Sequence, residues 1–239
     1  MKIALCISGH LREGDSLCFP SVKKYLLDKY DTDIFVSSFK EMGAVNYCMQ
    51  SNHPVEDNND VSDRIHSIYK PVRSIIEDAH APWLYTLQKR WNNISTRNGS
   101  KVWQVVAMWR NIYEAQRLRR MYEAETGTKY DLVIRTRFDN ELISDIVAQT
   151  QYKNENGLIL KTGHCGFFDQ TFWGAPEYIS TLAECWFYID SFVNENNSKS
   201  FENAENIATK YLTLSEIPYT VRTDIQISIT KPINGRYIT

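Results

Sequence analysis

The chain has 239 residues, 43% of them hydrophobic and 23% charged, enough to bury a sizeable core, which excludes a disordered tail and a small disulfide-stapled module. Lys and Arg total 27 against 29 Asp and Glu, a formal charge of -2. No global basic field therefore draws the chain to nucleic acid or an anionic membrane, and any recognition of phosphate must be local.

Lys2 to Ser8 is a short apolar run of the buried-strand type, ending in the turn signal Ser8-Gly9-His10. Pro20 suits the first turn of a helix, with Val22, Tyr25, Leu26 and Lys29 following at helical spacing, and Asp33 to Phe39 reads as a second strand. This β-α-β order implies a parallel pair with a right-handed crossover. Residues 43–63, rich in Asn and Asp, read as a surface loop, and the run from Ile65 to Ile76 as a short strand entering a loop. Residues 82–98 carry no readable period. From Lys101 to Glu125 the spacing of Val102, Val105, Trp109, Ile112 and Tyr113, stopped by Gly127, predicts the longest helix.

Tyr130 to Thr136 reads as a buried strand emerging into Arg137-Phe138-Asp139-Asn140, and Gly157 to Lys161 as another. Thr162 to Gly174 reads as an aromatic loop, Pro176 to Val193 and Glu202 to Ser215 as helices, and residues 219–230 as a strand. A single domain over 1–239 is expected, with no repeat or low-complexity tract. The five cysteines, Cys6, Cys18, Cys48, Cys165 and Cys185, are odd in number and widely spaced, which suggests reduced thiols rather than a disulfide framework or a metal clip. The apolar start of the chain runs at once into Gly-His-Leu-Arg without a cleavage site, and no stretch reaches the ~18 apolar residues of a membrane span. A cytoplasmic location, the host cytoplasm if the chain is viral, is the expectation.

In an open α/β sheet, ligands bind outside the carboxyl ends of the strands, so polar residues just past the apolar runs are the first candidates. After the first strand come Ser8, Gly9 and Arg12: glycine lets backbone approach a ligand, and arginine grips phosphate bidentately. The alternative is a plain tight turn with an exposed arginine. After the central strand come Arg135, Arg137 and Asp139, which alternation would put on one face as an anion site with one possible metal ligand. The alternative here is a structural ion pair. Phe167, Phe168, Phe172 and Trp173 bracket Asp169 and Gln170, and rings beside hydrogen-bonding groups suit a sugar; Trp173 is the ring expected to be most exposed.

The opening MKIALCISGHLR, the strand DIFVSSF, the long helix, then YDLVIRTRFD and FFDQTFWGAPEYI, in that order, resemble the small GT-A type glycosyltransferases of capsule, lipopolysaccharide and large-virus glycan clusters. The likeness covers residues 1–40 and about 100–215. It implies a Rossmann-like α/β fold, a mostly parallel central sheet flanked by helices, with a nucleotide-binding half over about 1–140 and an acceptor-side half over about 141–239. It also implies a nucleotide-sugar donor, a glycan or glycoconjugate acceptor, and a divalent cation, Mn2+ or Mg2+. On this resemblance Asp139 falls on the second acid of the Asp-x-Asp motif and is the implied metal ligand. Arg137 stands where the family has the first acid; a guanidinium cannot coordinate a cation, but it can neutralise a diphosphate directly. Ser8, Gly9 and Arg12 correspond to the wall meeting base, ribose and phosphate. Asp169 is the implied general base, with Gln170, Trp173 and His164 as substrate contacts and Glu205 as a helical residue within possible reach. A non-catalytic nucleotide- or carbohydrate-binding module on a degenerate transferase fold is the alternative function.

Overall fold

The computed structural model describes residues 1–12, 14–40, 60–78, 81–91, 95–96, 101–149, 157–162, 167–195, 200–201, 204–222, 227–229, 232–233 and 236–237. Strand β1 (Lys2–Ser8) leads through helical turns over Gly14–Cys18, α1 (Phe19–Val22) and Lys23–Leu27 into β2 (Asp31–Phe39). Then follow α2 (Val61–Tyr69), β3 (Arg73–Glu77), α3 (Pro82–Trp91), the two-residue β4 (Ser95–Thr96), α4 (Val102–Thr126), β5 (Leu132–Thr136), β6 (Asn140–Leu142) and α5 (Ile146–Gln149). The chain continues with β7 (Leu158–Thr162), β8 (Phe167–Gly174), α6 (Pro176–Ala183), α7 (Cys185–Glu195), β9 (Ser200–Phe201), α8 (Ala204–Leu214) and β10 (Tyr219–Arg222). Three short strands, β11 (Ile227–Ile229), β12 (Pro232–Ile233) and β13 (Arg236–Tyr237), complete the described elements.

Seven strands form the main sheet in the order β10-β7-β8-β5-β1-β2-β3. It is mostly parallel: β1 pairs in parallel with both β2 and β5, β2 with β3, and β10 with β7, while β8 runs antiparallel between β5 and β7. The pleat of β1 explains why the sheet is covered on both sides. Ala4 and Cys6 face a core built with Val105, Trp109 and Ile112 of α4, Ile179 of α6 and Ile189 of α7. Ile3, Leu5 and Ile7 face a second core with Val22, Leu26, Ile65 of α2 and Ile146 of α5. Each of these side chains is at most 5% exposed, and burial of a Leu or Ile is worth about 1.5–3 kcal/mol, so the central strand is anchored from both faces.

Helix α4 spans 25 residues and packs across β1 and β2. It stops at Gly127, whose φ of 72° is left-handed and whose N–H donates to Glu123 O at 2.9 Å, the glycine C-cap that its sequence announced. Among the described residues no helix is long and apolar enough to cross a membrane.

Several segments differ from the sequence reading. Residues 167–174 of the expected 162–174 loop form an interior strand, β8, and Thr171, Phe172 and Trp173 are fully buried, while 163–166 lie outside the described residues. Trp173 faces the second core, so the ring expected to be most exposed is among the least. Helix α2 precedes β3 where a single strand was expected, because Val61, Ile65 and Tyr69, four apart, form one buried stripe. Helix α3 fills the unassigned 82–91. The expected helix 176–193 is two, α6 and α7, parted at Glu184. Finally, β10 and β11 divide the expected 219–230 strand between the main sheet and a two-stranded ladder with β6.

Candidate functional site

From β1 the chain adds β2 and β3 on one side, and after α4 it returns to lay β5 against β1's other side. The carboxyl ends of β1 and β5 therefore diverge at a topological switch point, where an open α/β sheet forms its crevice. Each lip carries an arginine. Arg12 follows β1, and Arg137 follows β5.

Backbone geometry sets the first lip. Gly9 has φ 115°, a conformation L side chains rarely adopt. Its N–H donates to Ser37 O at 3.0 Å, and its carbonyl accepts from Ser38 Oγ at 2.8 Å. Arg12 itself is left-handed, with φ 50°, as the chain turns toward Gly14. Any Cβ on Gly14 would collide with the backbone of Phe138, so the segments after β1 and β5 touch main chain to main chain, with no room for a larger residue.

The charged groups then meet. Arg137 donates to both oxygens of Asp139, Nε to Oδ1 at 2.8 Å and Nη2 to Oδ2 at 2.5 Å, and Arg12 Nη1 forms a second ion pair with Oδ2. Asp139 is 4% exposed. Burial alone would push its carboxyl up, but the charges of Arg137 and Arg12 and their hydrogen bonds outweigh this and hold it below the usual carboxylate range. Two guanidiniums thus converge on one buried carboxylate.

Arg135 stands one layer deeper. It is 1% exposed, donates to Ser8 Oγ from Nε at 3.3 Å and Nη2 at 3.1 Å, and lies 5.6 Å from the ring centre of Phe172. β5 ends at Thr136, so Arg135 lies within the strand while Arg137 and Asp139 follow it.

Asn140, which sequence reading passed over, joins the second lip to β8. Its Nδ2 donates to Thr171 Oγ1 at 2.6 Å and to Gln170 O at 3.1 Å. Four buried polar atoms in this neighbourhood, Arg12 Nε, Tyr69 Oη, Asn140 Oδ1 and Gln170 Oε1, have no hydrogen-bond partner. Unsatisfied buried groups are costly, so their concentration at the carboxyl end of the central strands marks a place suited to a polar ligand. The signal for Asn140 was a polar residue between buried Asp139 and the apolar Leu142.

Beside the first lip, His10 stacks on Phe39 at 4.8 Å, Phe39 lies 6.3 Å from Trp83, and the Arg110 guanidinium covers Trp83 at 3.8 Å. Glu77 binds Arg110 and accepts from Trp83 Nε1 at 3.1 Å. This aromatic wall was also not foreseen, since Trp83 lies in a segment without readable period.

Ser8, Gly9, Arg12, Arg135, Arg137 and Asp139 thus come together, and Gln170 joins them through Asn140. Asp169 lies on β8 at the same end of the sheet, but its side chain is outside the described residues, as is His164 altogether. Trp173 lies further along β8, paired with Ile134 and Ile159, and its buried position offers no open platform. Glu205 opens α8. The described residues fit a divalent cation poorly: none of their His, Cys, Asp and Glu side chains form a group of three or more able to hold a metal, and Asp139 is committed to two guanidiniums.

The chain matches no protein-family model and no curated protein sequence. Among solved structures it is similar to mouse xyloside xylosyltransferase 1 in its apo form, with a TM-score of 0.50 and 8% identity over 93% of this chain and 85% of that one. At that identity the likeness establishes the fold alone: a mixed α/β domain of glycosyltransferase type, its central sheet mostly parallel and flanked by helices.

Proposed function

We propose that this chain is a glycosyltransferase that moves a sugar from a nucleoside-diphosphate sugar to a hydroxyl of a glycan or glycoconjugate. The observation that carries the reading is the pair Arg12 and Arg137 facing one another across the β1/β5 switch point, tied by Asp139. The fold it shares with an enzyme whose name describes sugar transfer to a xyloside is consistent with this.

The chemistry asks for what these residues supply. As the bond between anomeric carbon and diphosphate breaks, negative charge grows on the leaving oxygen, and fixed donors aimed at it lower the barrier, each worth about 10²–10³ in rate. Guanidinium forks match phosphate oxygens in geometry and charge. Asn140 and Gln170 offer acceptor oxygens for hydroxyls, and the stacked wall of His10, Phe39 and Trp83 borders the first lip, where a base could lie. Asp169 is our proposed general base toward the acceptor hydroxyl.

The test is a panel of UDP-, GDP- and dTDP-sugars, with and without Mn2+, read by thermal shift and by donor hydrolysis. At least one donor should raise the melting temperature and be consumed; silence across the panel would reject the proposal. The feature that favours a second reading, a non-catalytic nucleotide- or carbohydrate-binding module, is Arg137 in place of an acid. In that case a donor binds without turnover, and Asp169→Ala changes nothing measurable.

A further inference from the structure

The carboxylate that the motif spacing marks as a metal ligand is surrounded by positive charge. Both oxygens of Asp139 accept from Arg137, and Arg12 pairs with Oδ2. A divalent cation approaching that carboxylate would meet two fixed cations before it met a second acid, and hard cations take about six oxygen ligands rather than one. A diphosphate meets the opposite situation. Its oxygens are the natural partners of guanidinium forks, and Arg12 Nε is a buried donor with no acceptor. The collision that any side chain at Gly14 would make with Phe138 fixes the separation of the two lips, so the arginines are positioned before a ligand arrives.

We infer that Arg12 and Arg137 take the place of a divalent cation in this chain and hold a donor's diphosphate directly, with Asp139 serving as the internal counter-ion that keeps the two guanidiniums together. This rests on the reading of the ligand as a nucleoside-diphosphate sugar. In the ligand-bound state the phosphate oxygens compete with the Asp139 carboxylate for the same donors, so the carboxylate limits affinity as well as ordering the site.

The experiment is calorimetric titration of UDP, GDP and dTDP into the full chain, once stripped with EDTA and once with excess Mn2+. The expected result is a dissociation constant that agrees within about threefold between the two conditions for the nucleotide that binds. Binding more than about tenfold tighter with Mn2+ overturns the inference and leaves the transferase reading standing. Binding of none of the three in either condition overturns both. Arg137→Ala should weaken EDTA-insensitive binding by about tenfold or more. Unchanged nucleotide binding in a folded Arg137→Ala protein, checked by circular dichroism, overturns the inference; should that variant fail to fold, the comparison of EDTA with Mn2+ on the unaltered chain still decides.

Discussion

Among the described residues, Arg119 and the arginines of the β1/β5 crevice are held on opposite principles. Arg119, in the middle of α4, is 1% exposed, and each of its three nitrogens donates: Nε to Gln116 at 3.0 Å, Nη1 to Glu123 at 2.5 Å and Nη2 to Ser180 at 2.6 Å. One cation meets one anion, and two of the partners come from its own helix. At the β1/β5 crevice two guanidiniums share the carboxylate of Asp139, Arg135 donates to the Ser8 hydroxyl, and Arg12 Nε has no acceptor. The first arrangement engages every nitrogen of its guanidinium and joins α4 to α6. The second leaves a buried guanidinium donor of Arg12 unused, which a folded protein tolerates where a ligand completes the set.

That contrast can be broken by experiment. The largest effect is expected from Arg119→Ala, which leaves part-buried Glu123 without its cation: urea unfolding should show a loss of roughly 3–5 kcal/mol. Any nucleotide affinity of the protein that remains folded should be unchanged. Arg137→Ala should do the reverse, with donor turnover falling about 10²-fold or more and the urea midpoint moving little. A large stability loss there would make the crevice cluster structural after all. Gly14→Ala forces the two lips apart and should cost roughly 1–3 kcal/mol while also weakening nucleotide binding, read by unfolding and titration on the same sample.

The smallest effect concerns acid. Because Asp139 is held below its usual range in the folded state, the unfolded chain takes up its proton first as pH falls. The stabilisation from this group is complete above its unfolded value of about 3.9 and is lost as pH drops through the lower folded value. The stability difference between the unaltered protein and Asp139→Asn should therefore shrink below about pH 4 in thermal melts. A difference independent of pH would mean that the carboxylate's charge contributes nothing.

Which parts were readable from sequence follows from how each is buried. The strands β1, β2 and β5 are apolar runs closed by polar residues, and α4 repeats its apolar positions with helical period and ends in a glycine, so local pattern and tertiary role agree. β8 was hidden because it is interior and buried on both faces: Thr171, Phe172 and Trp173 are consecutive and all inaccessible, so no alternation with polar residues betrays a strand. α3 buries only Leu84 and Trp91, too few to trace a stripe. At the site, strand-end logic points to Arg12, Arg137 and Asp139 because each lies just past a buried strand, β1 or β5. Asn140 was invisible because its role depends on Thr171, 31 positions away, which no local spacing records.

The pairing of β5 with β1 also bears on how the protein comes into being. Arg12 and Asp139 lie 127 positions apart, so a nascent chain that has already made β1, β2, β3 and most of α4 possesses one lip of the crevice and nothing to face it. Closing so long a loop costs entropy before any contact repays it, which makes docking of β5 a slow, non-local event in the assembly of the sheet. A ligand gripping both lips recognises only chains that have completed that event. Added during refolding, it would act as a template that draws the β1–β5 pairing to completion, and the yield of native protein would rise with its concentration.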